Sequence, residues 1–506
     1  MSDRELGWLQ PLFDAPAMRA IDSWAIDDRG VPSLDLMENA GAGLAAVAEQ
    51  LAPSGRIVVV AGGGNNGGDG LVAARLLRAR GRDVDVLLAG GTGSRSPDAS
   101  ANLERLGDPA PVELGPGGVI AADAALVIDA LLGTGASGAA RGAVLEAIEA
   151  IRDSGLRVLA ADVPSGVDAS TGEIAGLAVL ATATATFHAA KPGLWIEPGR
   201  GCAGTVSVID IGIPPGAPVQ AEVGLIGDEV LELIPRRGVH STKFTSGRVL
   251  VAGGSTGLTG APCLAALAAA RAGAGYVTAC VPASLSLVFE TRLLEQMTLA
   301  LPDEHGALGP DAVEPLAAAA EARAGALVLG PGLGRAERTA AFVRELLNAV
   351  SMPVVLDADG LNAFAGDVAA LRGRAAVLTP HEGELARLLG AGSGQIIAAA
   401  RLRHAREAAA AGGAVVVLKG GDTLVAAPDG RVAVSPGATP ALATAGTGDV
   451  LSGVLGAMLA KGLDPFEAAC AGVRLHALAG EHAAGRHGAE GVVASDVVES
   501  LSAVRR

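Results

Sequence analysis

Little in this chain is aromatic, basic or sulfur-bearing. Phe, Trp and Tyr make up 2% of its 506 residues, too few to build the stacking platforms that hold single-stranded nucleic acid. Its 38 Lys and Arg are outnumbered by 54 Asp and Glu, and the formal charge of −16 repels a phosphate backbone. Nucleic acid is therefore not expected as a partner. The four cysteines (Cys202, Cys263, Cys280 and Cys470) lie far apart with no CxxC pair. They are expected to be reduced, partly buried thiols of a cytoplasmic protein. No run of about 20 residues is apolar enough to span a bilayer, so no membrane partner is expected. The nearest candidate, "APCLAALAAARAGAGYVTACV", is interrupted by Arg271 and reads as a small-residue helix followed by a strand. The opening "MSDRELGWLQ" mixes charges and lacks an apolar centre, so no signal peptide is expected.

What the chain does have is apolar content, at 50%, much of it Ala, and 72 glycines. Its length suggests two to four domains. The first two-fifths alternates short apolar strands, such as "RIVVVAG", "DVDVLLAGG", "AALVIDALLG" and "RVLAADVPSG", with helical stretches such as "GLVAARLLRARG" and "RGAVLEAIEAIRDSG". That alternation predicts βαβ units around a parallel sheet. Strands that are apolar on both faces fit a sheet covered on both sides. The prolines and small residues of "DIGIPPGAPVQAEVG" suggest a linker near 214–224. The alternation then restarts with "GRVLVAGGS" and runs on through "AVVVLKGGD". The expected fold class is α/β, in two domains spanning 1–215 and 225–506.

The stretch "GGGNNGGDGL" follows the first of these strands and leads into a helix. Gly62, Gly64 and Gly67 have the spacing of a dinucleotide-binding turn, whose free N–H groups can hold phosphate. A redox cofactor would want an acid at the tip of the next strand, about 20 residues on, and around Leu87–Ala89 there is none. A Walker-type loop would need a Lys after the last glycine, and there is none. The polar residues Asn65, Asn66 and Asp69 either serve turn conformations or have work of their own. Two further strand ends carry acids: Asp129 in "DALLGTG", and Asp162 with Ser165 in "DVPSGVD". Ligands of open parallel sheets bind at the carboxyl edge, where Asn66, Asp129, Asp162 and Ser165 would converge. Hard oxygen donors of this kind suit an alkali or alkaline-earth cation.

Together with the preceding "ENAG", these motifs resemble the epimerase domain of the NAD(P)H-hydrate repair family over about residues 15–215, with a Rossmann-like fold. The resemblance implies that the dinucleotide is a substrate, NADH or NADPH that has taken up water at the nicotinamide ring, and that the domain interconverts its R and S forms. It implies substrate contacts from Asn65, Asn66, Gly67, Gly68 and Asp69. It also implies K+ binding by Asn66, Asp129 and Ser165, and a phosphate-holding turn of Gly133, Thr134, Gly135, Ala136, Ser137, Gly138 and Ala139. Asp162 would face the reacting ring as the acid–base group. Lys191 in "FHAAKPGL" is a second candidate, although a solvated surface lysine is the ordinary expectation.

In the second half, "ATAGTGDVLSGVLGAMLAKG" sets Gly446, Thr447 and Gly448 just ahead of a helix whose Val450, Leu451, Val454, Leu455, Met458 and Leu459 mark a buried face. A Gly-rich turn at a helix start presents N–H groups to an anion. Asp449 either caps the helix or takes the proton of a hydroxyl attacking a phosphoryl group. "LKGGDTLV" ends a strand at Lys419 and offers a turn of Gly420, Gly421, Asp422 and Thr423, or else an ordinary hairpin. "LTPHEGELARLL" places His381 between a strand and a helix, and "GPGLG" and "DADGLN" end two more strands.

In the family's order, these motifs resemble the ribokinase-like ADP-dependent NAD(P)H-hydrate dehydratase. That implies contacts of Ala261, Gly332, His381 and Asp449 with the hydrated dinucleotide. It implies that Lys419 to Thr423 and Gly446 to Gly448 hold an adenine nucleotide, with Mg2+ bridging its phosphates. ADP would phosphorylate the hydrate's hydroxyl, leaving AMP; phosphate would then depart and the ring regain its double bond. The expected partners are hydrated NADH, hydrated NADPH and ADP, and a homo-oligomer is expected. The alternative is a ribokinase-like kinase of a vitamin precursor with a non-catalytic nucleotide-binding module at its N-terminus.

Overall fold

A computed structural model describes residues 6–504 apart from 91, 92, 94, 323, 324, 375 and 438. The chain divides into two compact units. One is Pro11–Val223; the other joins the N-terminal segment ending at Gln10 to Gly224–Arg506. The sequence pattern alone places that segment in the first domain. It groups with the second because Trp8, 5% exposed, is buried in that unit's core, its ring centre 6.2 Å from that of Phe466 and tilted by 40°. Beside it, the edge strand β1 (Leu9–Leu12) joins the second unit's sheet.

The first unit is built on β2 (Arg56–Ala61), β3 (Val84–Ala89), β4 (Val112–Leu114), β5 (Ala124–Ala130), β6 (Val158–Ala161), β7 (Ala183–Phe187) and β8 (Thr205–Ile209). They form one sheet in the order β4-β3-β2-β5-β6-β7-β8, and their pairings are parallel. Residues of β2 alternate between two cores. Ile57 and Val59 pack with Leu44 and Leu71 of the helices Ser33–Leu51 and Asn65–Ala79. Val58 and Val60 pack with Ile148 of Gly142–Asp153 on the other face. Each buried side chain of this size contributes roughly 1.5–3 kcal/mol, which explains why the strands read as continuously apolar. The order reverses between β2 and β5, and that reversal opens a crevice beyond their carboxyl ends.

The second unit adds β9 (Val223–Ile226), β10 (Arg248–Ala252), β11 (Tyr276–Pro282), β12 (Met297–Leu301), the small hairpin β13 (Asp303–Glu304) and β14 (Ala307–Leu308), β15 (Ala326–Leu329), β16 (Val354–Leu356), β17 (Val377–Leu378), β18 (Val415–Leu418), β19 (Leu424–Ala426) and β20 (Val432–Val434). Its main sheet runs β1-β9-β20-β19-β18-β17-β16-β15-β10-β11-β12. The block from β12 to β18 is parallel, whereas β18, β19 and β20 pair antiparallel. Here the order reverses between β10 and β15. The helix Thr447–Ala460 is buried on more sides than the single face its sequence suggests, because Gly453, Gly456 and Ala457 are buried too. A methyl group at Gly453 would lie 2.1 Å from the Ala265 carbonyl oxygen. Only glycine lets the two helices approach this closely.

Candidate active sites

In the first unit, the segment expected as a loop is helical from its first asparagine. The helix Asn65–Ala79 starts with Gly64 as its N-cap and no side chain capping it, so its leading N–H groups face the crevice. A methyl at Gly67 would lie 2.1 Å from the Gly62 carbonyl oxygen, so the turn closes only on glycine. Asn65 is exposed, whereas Asn66, Gly67, Gly68 and Asp69 are buried. The turn from Gly133 to Ala139, after β5, is half-buried to exposed, as a rim should be.

Asp162 follows β6 and is 8% exposed. Its backbone is held at φ 67, a strained conformation for a residue with a Cβ. Hydrogen bonds offset that strain. Oδ1 accepts from Lys191 Nζ at 2.7 Å, and Oδ2 accepts from the Thr134 N–H at 2.9 Å and from the Thr134 hydroxyl. Lys191 is not the surface lysine of the ordinary expectation. It is 1% exposed, and Nζ donates to Asp162, to Thr186 Oγ1 at 2.9 Å and to the Phe187 carbonyl at 2.7 Å. Burial alone would raise the Asp162 carboxyl, but the Lys191 charge, with the Lys191 and Thr134 hydrogen bonds, holds it below the usual carboxylate range. Two nearby acids move the other way. Burial above all, with repulsion from Asp162, lifts Asp69 well above that range. Asp22 is pushed up to about 6 by burial, against the pull of Lys191. Carboxyls whose environments separate their protonation are a common acid–base arrangement.

Asp129 is fully buried at the end of β5. It accepts from Ser165 N at 2.9 Å, Ser165 Oγ at 2.7 Å and Leu131 N at 3.2 Å. Burial outweighs these bonds and pushes its carboxyl up to about 6. Asn66 donates Nδ2 to the Leu132 carbonyl at 2.9 Å, and its buried Oδ1 has no partner among the described residues. An orphaned amide oxygen near a buried carboxylate is a donor set that a hard monovalent cation would satisfy.

In the second unit, the N-cap of the helix Thr447–Ala460 is Gly446, and the Thr447 hydroxyl donates to the carbonyls of Leu442 and Thr444 at 2.8 and 2.9 Å. Asp449 is therefore not the cap. It stands in the first turn of that helix, pushed up to about 7 by burial and then by repulsion from Asp357, with Lys419 pulling the other way. Asp357 is 1% exposed; it accepts from Lys419 Nζ at 2.9 Å and from Ser452 Oγ at 2.5 Å. Lys419 also lies 3.6 Å from Glu384. Gly332 and Ala261 sit together at the β10/β15 reversal, where Ser255 Oγ donates to the Gly332 carbonyl at 2.9 Å.

His381 serves the fold as the N-cap of Glu382–Leu389. Its Nδ1 accepts from Gly383 N at 2.9 Å, while Glu384 accepts from the His381 N–H at 2.9 Å. Its side chain is otherwise half exposed, with Nε2 3.6 Å from Glu384 Oε1.

The turn Gly420–Thr423 joins antiparallel β18 and β19, so it is a hairpin turn. The Asp422 side chain does not face that turn's concave side. It is 1% exposed and paired to Arg401, at 3.0 Å from both Nε and Nη2. Arg401 in turn meets Glu382. Arg401 and Lys191 head the fully buried side chains by volume, and sequence reasoning passes over the first altogether. In "RLRHAREAAAAG" Arg401 shares the buried face of Leu402, Ala405, Ala408 and Ala409, so the helical spacing is the one available signal. His476 escapes sequence reasoning as well. A cavity of about 380 Å³ is lined by Lys419, Gly420, Gly421, Thr423, Thr447 and Gly448, and also by His476.

Each unit thus places a poised carboxylate beside an amide-lined helix start at a sheet edge, the arrangement of a fused pair of nucleotide-handling α/β enzymes. Residues 33–193 match the family described as YjeF-related protein N-terminus, and residues 249–503 match NAD(P)H-hydrate dehydratase. The bifunctional NAD(P)H-hydrate repair enzyme Nnr of Moorella thermoacetica is 41% identical, covering 98% of this chain and 96% of its own. That of Salinibacter ruber is 40% identical over the same shares, 98% and 96%. A crystal structure of ADP/ATP-dependent NAD(P)H-hydrate dehydratase from Bacillus subtilis, co-crystallised with ATP and Mg2+, is 30% identical over 55% of this chain and 95% of its own, with a TM-score of 0.47. The chain belongs to the bifunctional NAD(P)H-hydrate repair enzymes. This near full-length relationship favours the repair reading over the kinase with an inert module. Among the described residues, no helix is long and apolar enough to cross a membrane.

Proposed function

We propose that the first unit interconverts the R and S hydrates of NADH and NADPH, and that the second returns the S form to NAD(P)H at the expense of ADP. The observation that carries the reading is Asp449, pushed up to about 7 at an amide-lined helix start, in a chain related over its whole length to repair enzymes.

In the first unit, the ring nitrogen assists departure of the hydroxyl as water, and water adds back to the same carbon from the opposite face. Asp69, lifted toward its protonated form, suits the proton donor; Asp162, held ionised by Lys191, suits the acceptor. The turn from Gly133 to Ala139 and the N–H groups at Asn65–Gly67 would bind the substrate's phosphates. Asn66, Asp129 and Ser165 would hold K+, which when bound supplies a fixed positive charge beside the substrate. Replacing Asp162 with Asn is expected to slow consumption of the R hydrate by about 10²–10⁴-fold, as followed by chiral chromatography. A rate within threefold of wild type overturns the assignment. Exchanging K+ for tetramethylammonium, which is too large for the Asn66 site, is expected to lower the unfolding temperature of the protein, and adding K+ back should restore it in proportion to its concentration. An unchanged melting curve overturns the cation site.

In the second unit, Asp449 takes the proton of the hydrate's hydroxyl as its oxygen attacks the terminal phosphoryl group of ADP and the bond to AMP breaks. The ring nitrogen then expels phosphate, and loss of a proton from the adjacent carbon restores the double bond. Phosphate leaves far more readily than hydroxide, so a kinase-type site can drive a dehydration. The N–H groups at Gly446–Gly448 would stabilise charge on the transferring group. Among the described residues, no three acidic or His/Cys side chains are grouped as a metal cage, and Asp357 is engaged by Lys419 and Ser452. Mg2+ brought in with the nucleotide would supply positive charge against its phosphates.

A further inference from the structure

The cavity beside the nucleotide turn has two characters. The turn with Lys419 and Thr423 and the helix start at Thr447 and Gly448 form its polar side. Apart from Ser435 and Thr439 the rest is mostly apolar, with Leu442, Ala443, Leu451, Val473 and Ala477. Among these apolar residues stands His476, on the helix Pro465–His487 and 8% exposed. Its buried Nε2 has no hydrogen-bond partner among the described residues. A buried ring nitrogen is rarely left orphaned without a purpose.

The other nitrogen is engaged. The ring hydrogen-bonds the Thr447 backbone in a way that favours its protonated form, so the ring donates and the carbonyl accepts. Because Nε2 is the orphan, the donor is Nδ1. Burial outweighs this bond and pushes the imidazole down to about 4, so the ring is neutral at physiological pH. A neutral ring with its proton on Nδ1 leaves Nε2 as a lone-pair acceptor and nothing else.

We propose that His476 is the base-reading residue of this cavity, its Nε2 accepting a hydrogen bond from the exocyclic 6-amino group of a purine nucleotide seated among Leu442, Leu451 and Val473. The proposal rests on the reading of this unit as an adenine-nucleotide site, and it adds the atom that recognises the base. A purine with oxygen at position 6 sets an acceptor against an acceptor, and a purine with nothing there leaves Nε2 dry and unpaired. Sites built around such a buried polar contact reject analogues that lack the matching group.

The test is titration calorimetry on the full-length enzyme with three diphosphates that differ at position 6: ADP, purine riboside 5′-diphosphate and inosine 5′-diphosphate. ADP is expected to bind about tenfold more tightly than the purine riboside analogue, with the inosine analogue weaker still. In His476→Leu the three affinities are expected to converge, because only the shared phosphate and ribose contacts remain. Equal binding of all three by the wild-type protein overturns the proposal, as does a His476→Leu protein that still prefers ADP. The wild-type series stands even if that variant does not fold. If the wild-type protein binds none of the three, the nucleotide reading of the unit itself is wrong, and the proposal falls with it.

Discussion

Replacing Asp449 with Asn is expected to cut ADP-dependent dehydration of the S hydrate by about 10²–10⁴-fold in kcat, the usual worth of a positioned base. The KM for ADP should change little, because the proposed nucleotide contacts are the backbone N–H groups of the helix start and the hairpin turn with Lys419, which the substitution leaves in place. The pH profile carries the sharper signature. A base works in its ionised form, and Asp449 is pushed up to about 7. Wild-type kcat should therefore be full above that pH and fall roughly tenfold for each unit below it. In Asp449→Asn the limb near pH 7 should vanish and the residual rate run flat. Stopped-flow absorbance in the NADH band measures both quantities. Hydrogen exchange across the second unit's sheet should match the wild type in the same variant, which separates loss of the base from loss of folding. A variant that keeps a tenth of its turnover together with the acidic limb would remove Asp449 from the chemistry.

The second large effect is one of stability. Lys191→Met removes the cation from Asp162 and leaves a carboxylate in a dry, strained position; breaking a buried ion pair on one side only costs about 3–5 kcal/mol. The side chains of the pair are 1% and 11% exposed, so solvent does little to soften that cost. Hydrogen exchange should speed up by two to three orders of magnitude at the amides of β6 and β7, while those of the second unit's sheet hold their rates. Adding Asp162→Asn to Lys191→Met should recover part of the protection, since the orphaned charge is then gone. Exchange at wild-type rates in the single variant would mean that the pair contributes nothing to holding the crevice together.

The strand pattern was legible because each central strand is apolar on both faces. The alternating fates of Ile57, Val58, Val59 and Val60 are what a twice-covered sheet requires. The glycines were legible as turns because phosphate-holding loops and helix starts recur in recognisable order. Three kinds of feature could not be read. One is the burial of charge: Arg401 falls on the buried face of its helix with Ala405 and Ala408, and Lys191 lies in a loop, but in neither case does the local sequence show the acid that pairs with it. Another is division of labour. Asp422 and His381 stand in binding motifs, yet the Asp422 carboxylate is given to Arg401 and the His381 Nδ1 to a helix cap. The third is distance along the chain: the wall bearing His476 arrives from a helix with no motif of its own.

The contact at Gly453 has a consequence for how the base is held. With the Ala265 carbonyl oxygen 2.1 Å from where a methyl would stand, the helix that carries Asp449 packs backbone-close against its neighbour, and any larger residue here would push the two apart. Asp449 is thereby set on a closely packed helix and not on a loop.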